Sequence, residues 1–237
     1  MNILITSAAS DLAQKLAATL SEAHQIRLTE LVALDETDAE FVQSDLGHDE
    51  ATNQLVQGMD AVIHVAQLPP AVLEASDQPE NTEIDFQTRC TYNLLMAASE
   101  EKVPHAIYAS TLHLFDQHDE NWTVTEGWRP RPTTDAPTLS KHLGEFTCRE
   151  FARERRINIT CLRLGTLTTV AETEGQQVDS TWLEMDDAVH AFECALQNPA
   201  GRWAIFHIQS EFLNSRFSID RAKSSLKFNP QFTIGQT

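Results

Sequence analysis

Four side chains carry the chemistry most open to function: Thr111, His113, Lys141 and His142. Lys141 stands in the run P-T-T-D-A-P-T-L-S-K-H-L-G-E, whose pattern predicts a helix from about residue 138 to 155. Proton-transfer chemistry needs an ionisable side chain in a fixed place. The residue four places ahead of Lys141, one helical turn away, is Pro137, which has none. His113 and His142 are the replacements within the same stretch, and spacing singles out neither. Lys141 also has a plainer reading, as a solvated helix lysine or as the i,i+4 partner of Glu145.

The elements around these residues alternate. Strands are predicted at Ile3–Thr6, Ile26–Leu28, Glu40–Val42, Ala61–Val65, Ala106–Ala109 and Ile157–Leu164, with helical spacing at Leu12–Leu20, Ile84–Ala98 and 138–155 between some of them. That order argues for βαβ units and a doubly wound parallel α/β sheet covered on both faces. A second part follows with Met185–Gln197 helical, Trp203–Ile208 extended and Ser218–Leu226 helical. The expected division is a Rossmann-like domain over 1–165 with a small C-terminal segment, 166–237, packed on it as one structural unit. Residues 116–136 have no period and read as a long functional loop. Trp122 and Trp128 within it are packing anchors or pocket walls.

Composition narrows the partners. The formal net charge of −18 repels phosphate backbones and anionic membranes, so nucleic acid and membrane are not expected. No apolar run is long enough to span a bilayer, and no secretory leader is read at the N-terminus. The four cysteines lack ligand spacing, so reduced thiols, no metal and a cytoplasmic location are expected.

The first predicted strand runs into T-S-A-A-S-D-L-A, residues 6–13. A dinucleotide-binding turn carries glycines at three of these places, for the tight turn, the approach of the pyrophosphate and helix packing. Ser7, Ser10 and Ala13 occupy them here. Ser7 is expected to avoid the positive φ that glycine permits, and the Cβ of Ser10 points where a phosphate comes closest. Asp11 places a carboxylate at the start of the helix, beside Leu12, where the dipole favours an anion. Ser10 or Asp11 is expected to cap that helix and fill the anion site from within.

Taken together, the chain resembles the extended or atypical short-chain dehydrogenases, the NAD-dependent epimerase/dehydratase group, over nearly its whole length. The resemblance rests on Y-A-S-T-L-H-L-F at 108–115, Thr125-Glu126, Pro130–Pro132, the Lys141 helix, L-R-L-G at 162–165 and W-L-E-M-D-D-A-V at 182–189. The C-terminal third is most similar to the uronate dehydrogenase branch. The resemblance implies that Thr111 is the catalytic hydroxyl and that Lys141 binds the nicotinamide ribose. It also places the lost catalytic tyrosine at Pro137. For a bound NAD it implies contacts from Ser7, Ser10, Asp11, Leu12, Glu30 at the adenosine ribose, and Asp45-Leu46 at the adenine. His64-Val65-Ala66 forms its turn after the fourth strand, and Leu164 lies near the nicotinamide. His64 alone reads as a core histidine. Neither remaining tyrosine offers a replacement: Tyr92 lies in a helix, and nothing in the alternation of Tyr108 brings it to Lys141.

With damage in both halves of the site, the leading expectation is a degenerate member without efficient hydride transfer. It would bind a small metabolite or a protein partner, with NAD weak or lost. The alternative is an NAD(P)-dependent oxidoreductase, epimerase or dehydratase acting on a sugar or sugar acid with a non-tyrosine proton carrier. A third option is a regulatory sensor that binds NAD without turning it over, preferring NAD to NADP because of Glu30. A homodimer through helices 84–98 and 138–155 is also implied; their apolar faces otherwise only cover the sheet.

Overall fold

The structure is a computed structural model that describes residues 1–34, 37–173, 176, 179, 181–211 and 215–232. The chain runs through β1 (Asn2–Thr6), α1 (Asp11–Leu20), β2 (Gln25–Glu30), β3 (Glu40–Gln43), α2 (Glu50–Val56) and β4 (Ala61–His64). It continues with α3 (Pro70–Glu74), α4 (Pro79–Asp85), a π-turn at Phe86–Cys90, α5 (Thr91–Glu100) and β5 (His105–Thr111), which ends in a 3-10 turn at Leu112–Phe115. Then come α6 (Ala136–Arg153), β6 (Asn158–Leu164), β7 (Thr166–Thr168), α7 (Val170–Thr173), β8 (Trp182–Glu184), α8 (Met185–Gln197) and β9 (Trp203–Ile208).

Seven strands form one parallel sheet in the order β3-β2-β1-β4-β5-β6-β9. Alternation along the buried strands divides the core. Ile3, Ile5, Ile63, Ile107 and Leu162 pack with α1 and α8. Leu4, Val62, Tyr108, Ile159 and Cys161 pack on the opposite face with α2, α5 and α6. The doubly wound expectation holds. The C-terminal segment extends this architecture: β9 joins the sheet, and Phe206 and Phe192 lie in the same cluster as Ile3.

Two details differ from the sequence reading, the C-terminal helix and a short strand pair. The helix expected at Ile84–Ala98 is present, continuous from Pro79 to Glu100 with a π-turn at 86–90 inside it, whereas the one expected at 218–226 is a single π-turn, Ala222–Leu226, closed by left-handed Lys227. The short parallel pair β7–β8 has too few residues for a visible period. The loop after Phe115 is pinned by a bridge from Val124 to Phe217, and Trp128 packs on that cluster.

Candidate active site

β5 delivers the first functional group. Thr111 ends the strand, and its Oγ1 accepts a hydrogen bond from the His113 backbone N–H at 3.2 Å, capping the 3-10 turn. Sheet register sets Leu164 of β6 beside Thr111, with Ile208 of β9 beyond. The His113 ring stands half-exposed on the same turn. Its Nδ1 lies 2.9 Å from Asp116 Oδ2 and its Nε2 3.1 Å from Thr166 Oγ1. The hydrogen bond to Asp116 raises the His113 pKa against an opposing effect of burial. Asp116 and Thr166 did not emerge from the sequence; the one signal was the i,i+3 spacing in H-L-F-D. His142, the other replacement, has a buried Nδ1 without a hydrogen-bond partner among the described residues, and burial lowers its pKa.

α6 delivers Lys141. The helix begins at Ala136 with Asp135 as its cap, so Pro137 sits exposed in the first turn, where proline needs no intrahelical acceptor. One turn on, the Lys141 ammonium donates to the carbonyls of Val65 (3.1 Å), Ala66 (2.6 Å) and Ala109 (2.8 Å), at the carboxyl ends of β4 and β5. Burial lowers its pKa to about 8. The Glu145 pairing read from i,i+4 spacing does not form. Glu145 turns to Arg163 instead, at 2.7 Å for each of two hydrogen bonds.

Tyr108 corrects another expectation, because it does reach Lys141. The ammonium lies 5.5 Å from the ring centroid, and the phenol donates to Gln87 Oε1 at 2.9 Å. The ring is fully buried, and burial pushes the phenol well above its ordinary pKa, so it is a packing group. α6 approaches so closely that a Cβ on Gly144 would stand 2.1 Å from Tyr108 Oη.

At the turn after β1, Ser7 adopts φ 59, contrary to expectation. Left-handed backbone costs a residue with a Cβ roughly 1–2 kcal/mol. The Ser7 Oγ accepts from the Gln67 N–H at 2.9 Å and so ties this turn to the segment after β4. Ser10 caps α1 as expected: its Oγ accepts weakly from Ala13 N (3.3 Å) and donates to Ser7 O (2.7 Å). Asp11 is exposed and Leu12 is buried in the core. Glu30 is buried, with its carboxylate accepting from Ala9 N (3.0 Å) and Leu31 N (2.8 Å); burial raises its pKa. Asp45 is exposed, whereas Leu46 turns into the core with φ 52. His64 is a core histidine bridging Thr6 and Thr91, its pKa lowered to about 3 by burial and then by Lys141. Among the described residues no His, Cys, Asp or Glu group is arranged to hold a metal, and no helix is long and apolar enough to cross a membrane.

The fold thus gathers Ser7, Ala66, Ala109 and Lys141 at the carboxyl ends of the central strands, with Thr111 and His113 next along the sheet. Residues 3–180 match the model of the NAD dependent epimerase/dehydratase family. The chain belongs to that family. It is 27% identical over 201 residues to a uronate dehydrogenase of Pseudomonas syringae pv. tomato, covering 83% of this chain and 70% of the relative. An NAD-dependent glucose-6-phosphate dehydrogenase of Haloferax volcanii is 24% identical over 97% of this chain and 92% of its own length. Among solved structures, a glucuronic acid dehydrogenase from Chromohalobacter salexigens superposes with a TM-score of 0.83 at 23% identity, covering 98% of this chain and 85% of that one. A likeness at that identity establishes shared fold.

Proposed function

We propose that this family member is an NAD(P)-dependent oxidoreductase acting on a sugar or sugar acid, with His113 as its proton carrier. The observation that carries the reading is the His113–Asp116 pair on the same turn as the Thr111 hydroxyl. The sequence alone favoured a protein without efficient hydride transfer. The relatives named above are dehydrogenases, and a titratable group stands next to Thr111, so the alternative is the better supported.

The residues present fit a dinucleotide. Ser7 holds the left-handed turn that glycine would otherwise supply, and the first N–H groups of α1 have no intrahelical acceptor. Glu30 ends β2 where a ribose hydroxyl is bound in such folds, and its charge disfavours a 2′-phosphate, hence NAD over NADP. Lys141 would bind the nicotinamide ribose. When bound, the cofactor supplies a two-electron hydride donor or acceptor. Thr111 accepts from His113 N and keeps its own hydrogen to donate to a substrate oxygen. His113 gives that oxygen a proton on reduction of a carbonyl and takes one on oxidation of a hydroxyl.

Calorimetric titration tests the cofactor half: micromolar binding of NADH and weaker binding of NADPH are expected. No binding at millimolar NADH would sink the reading. Turnover of a hexuronic acid with NAD, abolished by Lys141→Ala, tests the rest.

A homodimer through α5 and α6 is part of the same proposal. Tyr92 (42% exposed) and Phe146 (52%) flank a groove of about 370 Å³ between these helices. Sedimentation of the intact chain should give a dimer that Phe146→Glu splits. A monomeric wild type would leave these faces as sheet cover only.

A further inference from the structure

A hydrogen-bonded chain leaves the His113 ring on the side away from Asp116. His113 Nε2 lies 3.1 Å from Thr166 Oγ1, which lies 3.0 Å from Thr181 Oγ1, which lies 2.8 Å from Asp179 Oδ1. A separate two-stranded sheet builds it: β7 and β8 pair in parallel, and Thr166 N donates to Thr181 O at 2.8 Å. Gly165 permits that approach, since a Cβ there would stand 2.1 Å from Thr181 O.

The direction of each bond can be assigned. An ionised carboxylate only accepts, and a threonine hydroxyl has one hydrogen to give. Thr181 therefore donates to Asp179, whose same oxygen also accepts the Thr181 N–H. With its hydrogen spent, Thr181 accepts from Thr166. Thr166, its hydrogen spent in turn, accepts from His113 Nε2. At the other side of the ring, Asp116 accepts from Nδ1. Both ring nitrogens then carry hydrogen.

We infer that Thr166, Thr181 and Asp179 are positioning residues that hold His113 in its doubly protonated form, the form in which it is an acid. The inference rests on the proposed role of His113 and adds residues to it from outside the motif-bearing segments. The charges facing the ring agree in sign: Asp116, Asp179 and Asp135 all favour the cation. When Nε2 passes its proton to the substrate oxygen, the Thr166 hydroxyl turns its hydrogen from Thr181 to the bare ring nitrogen. The Thr166–Thr181 bond is then lost, while Thr181 still donates to Asp179. The proton state of His113 is thereby coupled to the half-buried Thr166 hydroxyl.

The test is an NMR titration of the His113 ring nitrogens in the intact chain, free of cofactor and substrate. The wild type should be protonated on both nitrogens at pH 6 and titrate above an ordinary histidine. Thr166→Val removes the acceptor and should cost His113 about tenfold in proton affinity, the scale of one hydrogen bond to a charged group. Thr166→Ser, which keeps the hydroxyl, should restore it. Asp179→Ala, at an exposed position with little bearing on folding, should lower proton affinity severalfold because Thr181 is freed to reverse the chain. An unchanged midpoint in both Thr166→Val and Asp179→Ala overturns the inference, as does a wild-type ring with only one protonated nitrogen at pH 6. Failure of the functional reading is separate: it would show as absent turnover with these titration shifts intact.

Discussion

His113→Asn should lower kcat/KM about 10²–10⁴-fold, the usual worth of a positioned acid or base, while NADH affinity stays at the wild-type level. Asparagine keeps a polar side chain on the turn and leaves the Thr111 cap intact, because that bond uses the residue 113 backbone N–H. What it removes is the titrating group. The wild-type pH profile should also follow His113, whose hydrogen bond to Asp116 raises its pKa. The acid form that drives carbonyl reduction is full below the ordinary histidine range and is lost as pH rises through the raised value. Oxidation of a hydroxyl needs the neutral ring and should show the opposite limb. In the His113→Asn background, Pro137→Tyr should return part of the rate, because it puts a phenol one turn ahead of Lys141 at an exposed place in the first turn of α6. Full activity in His113→Asn alone would remove the ring from the mechanism and leave water or another group as proton carrier.

The sheet was legible because its central strands are buried on both faces and therefore read as short apolar runs such as Ile3–Ile5 and Ala61–Ile63. Thr111 and Lys141 were legible through the family resemblance of the segments that carry them, Y-A-S-T-L-H-L-F and the Lys141 helix. The His113 chain was not. Thr166 is 53 residues away, and it meets Thr181 because Gly165 before it lacks the Cβ that would clash with Thr181 O. Ser7 misled for a related reason. Serine avoids left-handed backbone in isolation, but the Gln67 N–H reaching its hydroxyl from beyond β4 holds it there. Propensity describes a residue without its partners, and both partners here arrive from distant sequence. The i,i+4 reading of Lys141 and Glu145 failed for the same cause: buried carbonyls and a buried arginine compete better than a helix neighbour.

That arginine carries the largest expected effect on stability. Arg163→Met should destabilise the chain by about 3–5 kcal/mol, read from urea unfolding, because it strands the Glu145 carboxylate in the core. The two side chains are 3% and 6% exposed, and the pair is bidentate at 2.7 Å on both arms. The Arg163 guanidinium also lies 5.0 Å from the Phe115 ring centroid, so its partners extend to the turn that carries His113. Replacing both ions, Arg163→Met with Glu145→Leu, should recover most of the loss, since two apolar groups of similar volume leave no buried charge unpaired. A single substitution that costs under about 1 kcal/mol would mean that water reaches Glu145, against its burial. The double variant separates stability from placement. Glu145 is one turn beyond Lys141 on α6, and the pair fixes that helix against β6. If the recovered double variant has wild-type stability but weaker NADH binding, the buried ion pair serves to set the register of Lys141 over the carbonyls of Val65, Ala66 and Ala109. If affinity is also unchanged, the close fit of Gly144 over Tyr108 is sufficient to place the helix.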